Sequence, residues 1–127
     1  MSEVRSEQTQ FAGLKVLLVE DETLISFLVE DMLQELGCSD VWHASGVSQA
    51  LAILGEHRPD VAVLDVNLGG ELVYPLVSQL EAAAIPFVFA TGYGRTGLPR
   101  HWNERPVLQK PFALETLAAA LGSALRD

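Results

Sequence analysis

The strongest constraint on the fold is an alternation of short apolar runs with amphipathic segments along almost the whole chain. Five runs rich in leucine and β-branched residues each end at polar residues, as buried parallel strands do. Between them, apolar residues recur at a spacing of three or four, which is typical of helices with one packed face. The predicted strands are 14–19, 40–44, 61–65, 87–90 and 107–108, and the predicted helices are 23–36, 47–55, 72–84 and 114–125.

This alternation predicts an α/β fold with a parallel sheet, because a parallel crossover needs a dozen or more residues and is usually helical. Helices then cover both faces of the sheet. The segment 92–106 breaks the pattern, since its three glycines and two prolines carry no apolar period where a fourth crossover helix belongs. We predict a loop or a short, distorted helix there.

The first helix carries signals at both ends. Thr23 or Asp21 is suited to cap its start, and Gly37 is suited to end it. The predicted core face of this helix is Ile25, Leu28, Val29, Met32, Leu33 and Leu36.

Composition narrows the function. The 127 residues fit one domain, with 1–11 as a flexible polar tail and 12–127 as the folded unit. Eight basic residues against 17 acidic ones give a net charge of −9, which disfavours nucleic acid and anionic membranes as partners. The single Cys38 excludes an internal disulfide, and no apolar run is long enough to cross a bilayer. We therefore expect a soluble, cytoplasmic protein.

Polar residues stand at the carboxyl ends of the predicted strands, where open parallel sheets form their binding sites. Glu20 and Asp21 follow the first strand, Asp65 ends the third, Thr91 follows the fourth and Lys110 the fifth. Three crowded acids repel one another, which a hard cation with oxygen ligands, such as Mg²⁺, relieves. Because phosphate oxygens commonly complete a Mg²⁺ site, the group favours a phosphoryl substrate and an aspartate nucleophile.

These residues lie in the motifs Val-Glu-Asp-Glu (19–22), Val-Leu-Asp-Val-Asn-Leu-Gly-Gly (63–70) and Lys-Pro-Phe (110–112). With Thr91, the set resembles the receiver domain of two-component response regulators over roughly residues 14–125. The resemblance implies a flavodoxin-like five-stranded sheet in the order 2-1-3-4-5. The segment 86–93, Pro-Phe-Val-Phe-Ala-Thr-Gly-Tyr, is similar to an alphaproteobacterial subgroup of single-domain regulators with a Phe-Ala-Thr-Gly-Tyr motif.

The resemblance also implies how the acids act. Asp65 would accept a phosphoryl group from a sensor histidine kinase or a histidine phosphotransfer protein, in a Mg²⁺-dependent reaction that the receiver itself catalyses. Slow autodephosphorylation would follow. Asp21 and Asp65 would ligate Mg²⁺ directly, Asn67 would do so through its backbone carbonyl, and Glu20 would act through a bound water.

The same resemblance assigns the remaining residues. Lys110 would pair with the phosphoryl oxygens, and the Thr91 hydroxyl would hydrogen-bond one of them. Asn67 and Tyr93, each two positions after a site residue, would govern access of hydrolytic water. The family's usual aromatic switch position holds Val107 here, so Tyr93 is our candidate for the aromatic role.

We expect a stand-alone receiver, because the chain ends at Asp127 without an effector domain, that signals by protein contact or acts as a phosphate sink. We expect a monomer or a weak homodimer. Two alternatives stay open: a non-phosphorylated pseudo-receiver that serves as a binding module, and a haloacid-dehalogenase-like phosphatase. That phosphatase family places Asp-x-Asp after the first strand, whereas Asp65-Val66-Asn67 follows the third.

Overall fold

The computed structural model describes residues 11–68, 71–92 and 106–126. Our predictions for residues 1–10 of the tail, for Tyr93 and for most of the segment 92–106 fall outside this range. Within it, strands and helices alternate as the apolar pattern predicts. The strands are β1 (Lys15–Val19), β2 (Asp40–Ala44), β3 (Val61–Asp65), β4 (Asn67–Leu68), β5 (Glu71–Leu72), β6 (Phe87–Thr91) and β7 (Val107–Gln109), and the helices are α1 (Thr23–Glu35), α2 (Val47–Glu56), α3 (Tyr74–Ala82) and α4 (Leu114–Arg126).

Five strands form one parallel sheet in the order β2-β1-β3-β6-β7, and β4 pairs with β5 as a separate antiparallel hairpin. In chain order within the sheet this is second, first, third, fourth and fifth, which confirms the flavodoxin-like prediction. The register sets Val19 beside Leu64, and Asp65 beside Ala90. The carboxyl ends of the central strands therefore meet at one edge.

Side chains of the central strands alternate between two cores, one on each face of the sheet. Leu17 and Leu64 belong to the core that α2 and α3 cover. Leu18 and Val63 belong to the core that α1 and α4 cover. Each such fully buried side chain contributes roughly 1.5–3 kcal/mol relative to an exposed one. The central strands are continuous apolar runs because both of their faces are buried.

Phe11 corrects the predicted boundary of the tail. Its side chain is 1% exposed and packs in the core on the α1 and α4 face. The folded unit therefore includes Phe11, which we had assigned to the tail, because an aromatic ring is a large apolar surface to bury.

Helix α1 begins differently from the prediction. Its N-cap residue is Glu22, not Thr23 or Asp21, and no side-chain hydrogen bond closes the cap. At the other end Gly37 has a φ of 102°, the left-handed conformation that commonly follows a helix.

The third helix is shorter than predicted. The sequence pattern assigned 72–84 to it, but α3 begins at Tyr74, and Leu72 belongs to the β4–β5 hairpin. Pro75 lies in the first turn as expected, where its missing N–H costs no helical hydrogen bond. The hairpin begins at Asn67, and only Val66 separates it from Asp65 at the end of β3.

Candidate functional site

Backbone pairing brings the predicted site residues to one edge of the sheet. The Glu20 N–H donates to the Ala44 carbonyl at 3.0 Å, which extends the β1–β2 ladder by one bond. The Lys110 N–H donates to the Thr91 carbonyl at 2.9 Å, so Lys110, just after β7, lies beside Thr91, the last residue of β6. The sheet itself therefore fixes where each side chain starts.

Three carboxylates meet at the centre of this edge. Glu20, Asp21 and Asp65 each offer an oxygen, and these oxygens all lie within 4.8 Å of one another. Glu20 is 3% exposed and Asp65 7%, whereas Asp21 is exposed to solvent. A cluster made only of carboxylate oxygens, with one open side, fits Mg²⁺, which prefers oxygen ligands and keeps several waters.

Lys110 supplies the positive charge within the site. Its Nζ donates to Glu20 Oε1 at 2.7 Å and to Asp65 Oδ2 at 3.1 Å. The ammonium therefore bridges two nearly buried carboxylates. Charge-assisted hydrogen bonds of this kind are about twice as strong as neutral ones.

Burial and charge act against each other in this ion pair. Burial raises the pKa of Glu20 above its ordinary value, and the hydrogen bond from Lys110 offsets only part of that rise. For Lys110, burial lowers the pKa, but the hydrogen bonds and charges of Glu20 and Asp65 together outweigh burial and raise it. Lys110 is therefore positively charged at neutral pH.

Two further contacts hold Glu20. Its Oε2 accepts a hydrogen bond from the Glu22 N–H at 3.1 Å. Its backbone carbonyl lies 2.8 Å from Nε2 of His43, on the edge strand β2. A carbonyl oxygen only accepts, so His43 carries its proton on Nε2 here. Sequence analysis gave His43 no role, because no local pattern links it to a carbonyl 23 positions earlier.

The other predicted residues lie at the same edge. Thr91 is 4% exposed and ends β6. Asn67 begins β4, so its backbone follows Asp65 after one intervening residue, Val66. The Val66 N–H donates to the Ala90 carbonyl at 3.1 Å, which extends the pairing of β3 with β6 to the start of the hairpin.

An apolar surface of α1 borders the site, and sequence analysis missed it. Leu24, Phe27 and Leu28 are 78%, 57% and 59% exposed, although we had assigned Leu28 to the core face. We call these three residues the α1 apolar face. Beside it lies a groove of about 310 Å³, lined by Glu22, Ile25, Leu28, Val29, Met32, Lys110, Pro111 and Phe112.

Comparison with known proteins identifies the family. The model of the response regulator receiver domain family matches residues 16–122, which is most of the chain. The chain belongs to this family. Within residues 11–68, 71–92 and 106–126, no helix of the receiver is long and apolar enough to span a membrane.

Individual relatives agree with this assignment. The receiver is 32% identical over 115 residues to the sensory transduction protein LytR of Streptococcus agalactiae serotype V, covering 85% of this chain and 46% of LytR. The solution structure of SdrG from Sphingomonas melonis Fr1 is 43% identical, with a TM-score of 0.80, covering 88% of this chain and 96% of SdrG. The BeF3-activated conformation of SdrG from Pseudomonas melonis Fr1 has a TM-score of 0.78 at 43% identity, covering 90% and 98% of the two chains.

The chain spans about half the length of the curated relatives it matches. The matching family model is that of a receiver domain, and the comparisons give no support to the phosphatase alternative. The family is one of phosphoacceptors rather than conventional enzymes. Four of the predicted site residues, Glu20, Asp21, Asp65 and Lys110, form one cluster, with Thr91 at the neighbouring strand end.

Proposed function

We propose that this receiver accepts a phosphoryl group on Asp65 from the phosphohistidine of a kinase or phosphotransfer protein, in the presence of Mg²⁺. The observation that carries the proposal is the position of Asp65. Its carboxylate is nearly buried, lies 3.1 Å from the Lys110 ammonium and belongs to a cluster of three acids. A buried carboxylate beside both a cation and a cation site is suited to act as a nucleophile toward phosphorus.

In the proposed phosphoryl transfer, each residue of the site has a separate role. An Asp65 oxygen attacks phosphorus as the bond from phosphorus to the donor nitrogen breaks, and the electron pair of that bond stays with the imidazole. Asp21, Asp65 and the Asn67 carbonyl would hold Mg²⁺, with Glu20 acting through water, and the ion supplies charge neutralisation when bound. Lys110 exchanges a carboxylate contact for a phosphoryl oxygen.

Thr91 completes the proposed acceptor site. Its backbone carbonyl already accepts the Lys110 N–H, so the threonine and the lysine approach the phosphoryl group from adjacent strands. The hydroxyl then donates to one phosphoryl oxygen while the ammonium binds another. Because phosphoryl transfer has a loose transition state, this positioning and charge neutralisation account for the catalysis.

We also propose that the protein donor docks on the α1 apolar face. The groove beside that face is lined by Lys110 and Phe112, so a partner seated there reaches the edge of the site. Apolar side chains as exposed as Leu24 and Leu28 mark an interaction surface when they cluster. A histidine-bearing helix with a complementary apolar face is the occupant that this geometry favours.

Intact mass spectrometry after incubation with acetyl phosphate and Mg²⁺ tests the acceptor proposal. We expect wild type and Asp40→Asn to gain one phosphoryl group, and Asp65→Asn to gain none. Asp40 is a matched control, because it is an exposed aspartate at the start of β2, at the opposite edge of the sheet. A wild-type chain that stays unmodified would favour the pseudo-receiver alternative.

The BeF3-activated state known for SdrG supports the acceptor over the pseudo-receiver. We further propose that phosphorylation changes the affinity for a second protein, or that the receiver serves as a phosphate sink. A pull-down with wild type, with and without acetyl phosphate, distinguishes these outputs. A phosphorylation-dependent partner indicates signalling by contact, and the same partners in both states indicate a sink.

A further inference from the structure

His43 stands out among the residues that the proposed mechanism does not use. It lies on β2, an edge strand, next to Ala44, where that strand leaves the sheet. The last β1–β2 pair is Val19 with Ala44, and the Glu20 N–H adds one more bond to the Ala44 carbonyl. The Glu20 carbonyl lies beyond this ladder, and the His43 ring reaches it at 2.8 Å. The His43 side chain thus adds one contact to Glu20 just beyond the last backbone pair of β1 and β2.

The peptide unit held by this bond joins the two acids. A peptide bond is planar, so fixing the Glu20 carbonyl also fixes the N–H and Cα of Asp21. The two acids differ in how their side chains are held. Glu20 accepts hydrogen bonds from Lys110 and from the Glu22 N–H. Among residues 11–68, 71–92 and 106–126, none donates to the exposed carboxylate of Asp21, so Asp21 depends on its backbone for position.

We propose that His43 is a positioning residue that orients Asp21 toward the cation site through the Glu20 carbonyl. This inference deepens the proposed function and rests on it. The His43 ring touches neither the phosphoryl group nor the ion. It holds one of the three oxygen-bearing side chains within reach of the other two, a distance of 4.8 Å or less. Partners that orient metal ligands in this way typically matter about 10- to 100-fold in metal affinity.

Three variants of His43 distinguish the effect of its N–H hydrogen-bond donor from the effect of its ring. His43→Phe keeps a ring of similar size and removes the donor, whereas His43→Gln places an amide N–H where Nε2 lies. Isothermal titration of the apo protein with MgCl₂ should give a dissociation constant about tenfold weaker for His43→Phe. For His43→Gln we expect a value within about twofold of wild type, because the hydrogen bond is retained. His43→Asn, whose side chain is shorter, should resemble His43→Phe.

A second readout needs no metal. A hydrogen bond to the Glu20 carbonyl polarises the amide of Asp21, so the Asp21 proton signal should move upfield in His43→Phe and return in His43→Gln. If packing of the His43 ring, rather than its N–H donor, were responsible, glutamine would not restore both measurements. Should His43→Phe fail to fold, the pair His43→Asn and His43→Gln makes the same comparison.

Equal Mg²⁺ affinity in wild type and His43→Phe would overturn the inference, as would a His43→Gln variant as weak as His43→Phe. A wild-type chain that binds no Mg²⁺ is a different failure, since it contradicts the proposed function. In that case the Asp21 amide still reports whether the His43 bond forms.

Discussion

Two neighbouring regions of this receiver have opposite chemistry. At the edge of the sheet, Glu20 and Asp65 are charged groups that are nearly buried around Lys110. On the adjacent helix α1, Leu24 and Leu28 are apolar side chains that are exposed to solvent. Each arrangement is unfavourable by itself, since buried charge and exposed apolar surface both cost free energy. Under the proposed function, phosphoryl transfer and donor recognition reside in different residues, so mutations should separate them.

The sharpest separation comes from the α1 apolar face. The test uses a phosphohistidine kinase that phosphorylates the wild type. With Leu28→Ser, the rate of phosphotransfer from that kinase should fall by at least about tenfold, because the substitution removes an apolar side chain from the docking interface. Phosphorylation by acetyl phosphate, which needs no docking surface, should be unchanged. Transfer of radiolabelled phosphate measures the rate of the kinase reaction, and intact mass spectrometry measures the rate with acetyl phosphate.

Leu51→Ser is the matched control for that experiment. Leu51 is an exposed leucine on α2, which packs on the other face of the sheet. The Leu51→Ser substitution should leave the rates with the kinase and with acetyl phosphate unchanged. If Leu28→Ser slowed the reaction with acetyl phosphate as much as the kinase reaction, docking and chemistry would not be separate.

The charged region should respond in stability rather than in recognition. Lys110→Met keeps the length of the side chain and removes the ammonium that bridges Glu20 and Asp65. We expect a loss of about 2 kcal/mol in the free energy of unfolding without Mg²⁺, because two nearly buried carboxylates lose their counter-ion. MgCl₂ should recover part of that loss, since the ion replaces the missing charge.

Urea denaturation measures this effect, and Lys15→Met is its control. Lys15 is exposed at the start of β1, so its substitution should change stability by less than about 0.5 kcal/mol. A Lys110→Met chain as stable as wild type would mean that the ion pair does not offset the burial of the acids.

The smallest effect concerns pH. Burial raises the pKa of Glu20 above 4.5 in the folded state, so the folded state binds this proton more tightly than the unfolded state does. The stability that the protonated form contributes is then lost as pH rises from 4.5 through the folded pKa. Glutamine does not titrate, so the Glu20→Gln variant does not lose this stability as pH rises. Without Mg²⁺, we expect Glu20→Gln to gain stability relative to wild type as pH rises through this window.

Denaturation curves at several pH values check that trend, with Glu115→Gln on α4 as a control for the loss of one exposed negative charge. A stability difference that shrinks as pH rises would show that the Lys110 contact, not burial, dominates at Glu20.

The parts that were predictable from sequence depend on long or regular patterns. Strand ends located Glu20, Asp65, Thr91 and Lys110, because a buried apolar run stops at the polar edge of a parallel sheet. The β4–β5 hairpin was missed, since its strands have two residues each and show no period.

Other features depend on tertiary contacts that leave no local signal. Phe11 is a single aromatic residue after a polar stretch, and only packing shows that it is buried. The contact of His43 with Glu20 joins two strands through a side chain. Leu28 fits the helical period of the core face, yet α1 is apolar around more of its circumference than the sheet can cover.

The most direct test of the central claim is to locate the phosphoryl bond chemically. An acyl phosphate on aspartate is reduced by borohydride to homoserine, which peptide mass spectrometry assigns to a position. After treatment with acetyl phosphate and Mg²⁺, we predict homoserine at position 65 and unmodified acids at 20 and 21. Homoserine at position 21, or at no position while the protein has gained a phosphoryl group, would contradict the assignment of Asp65 as the acceptor.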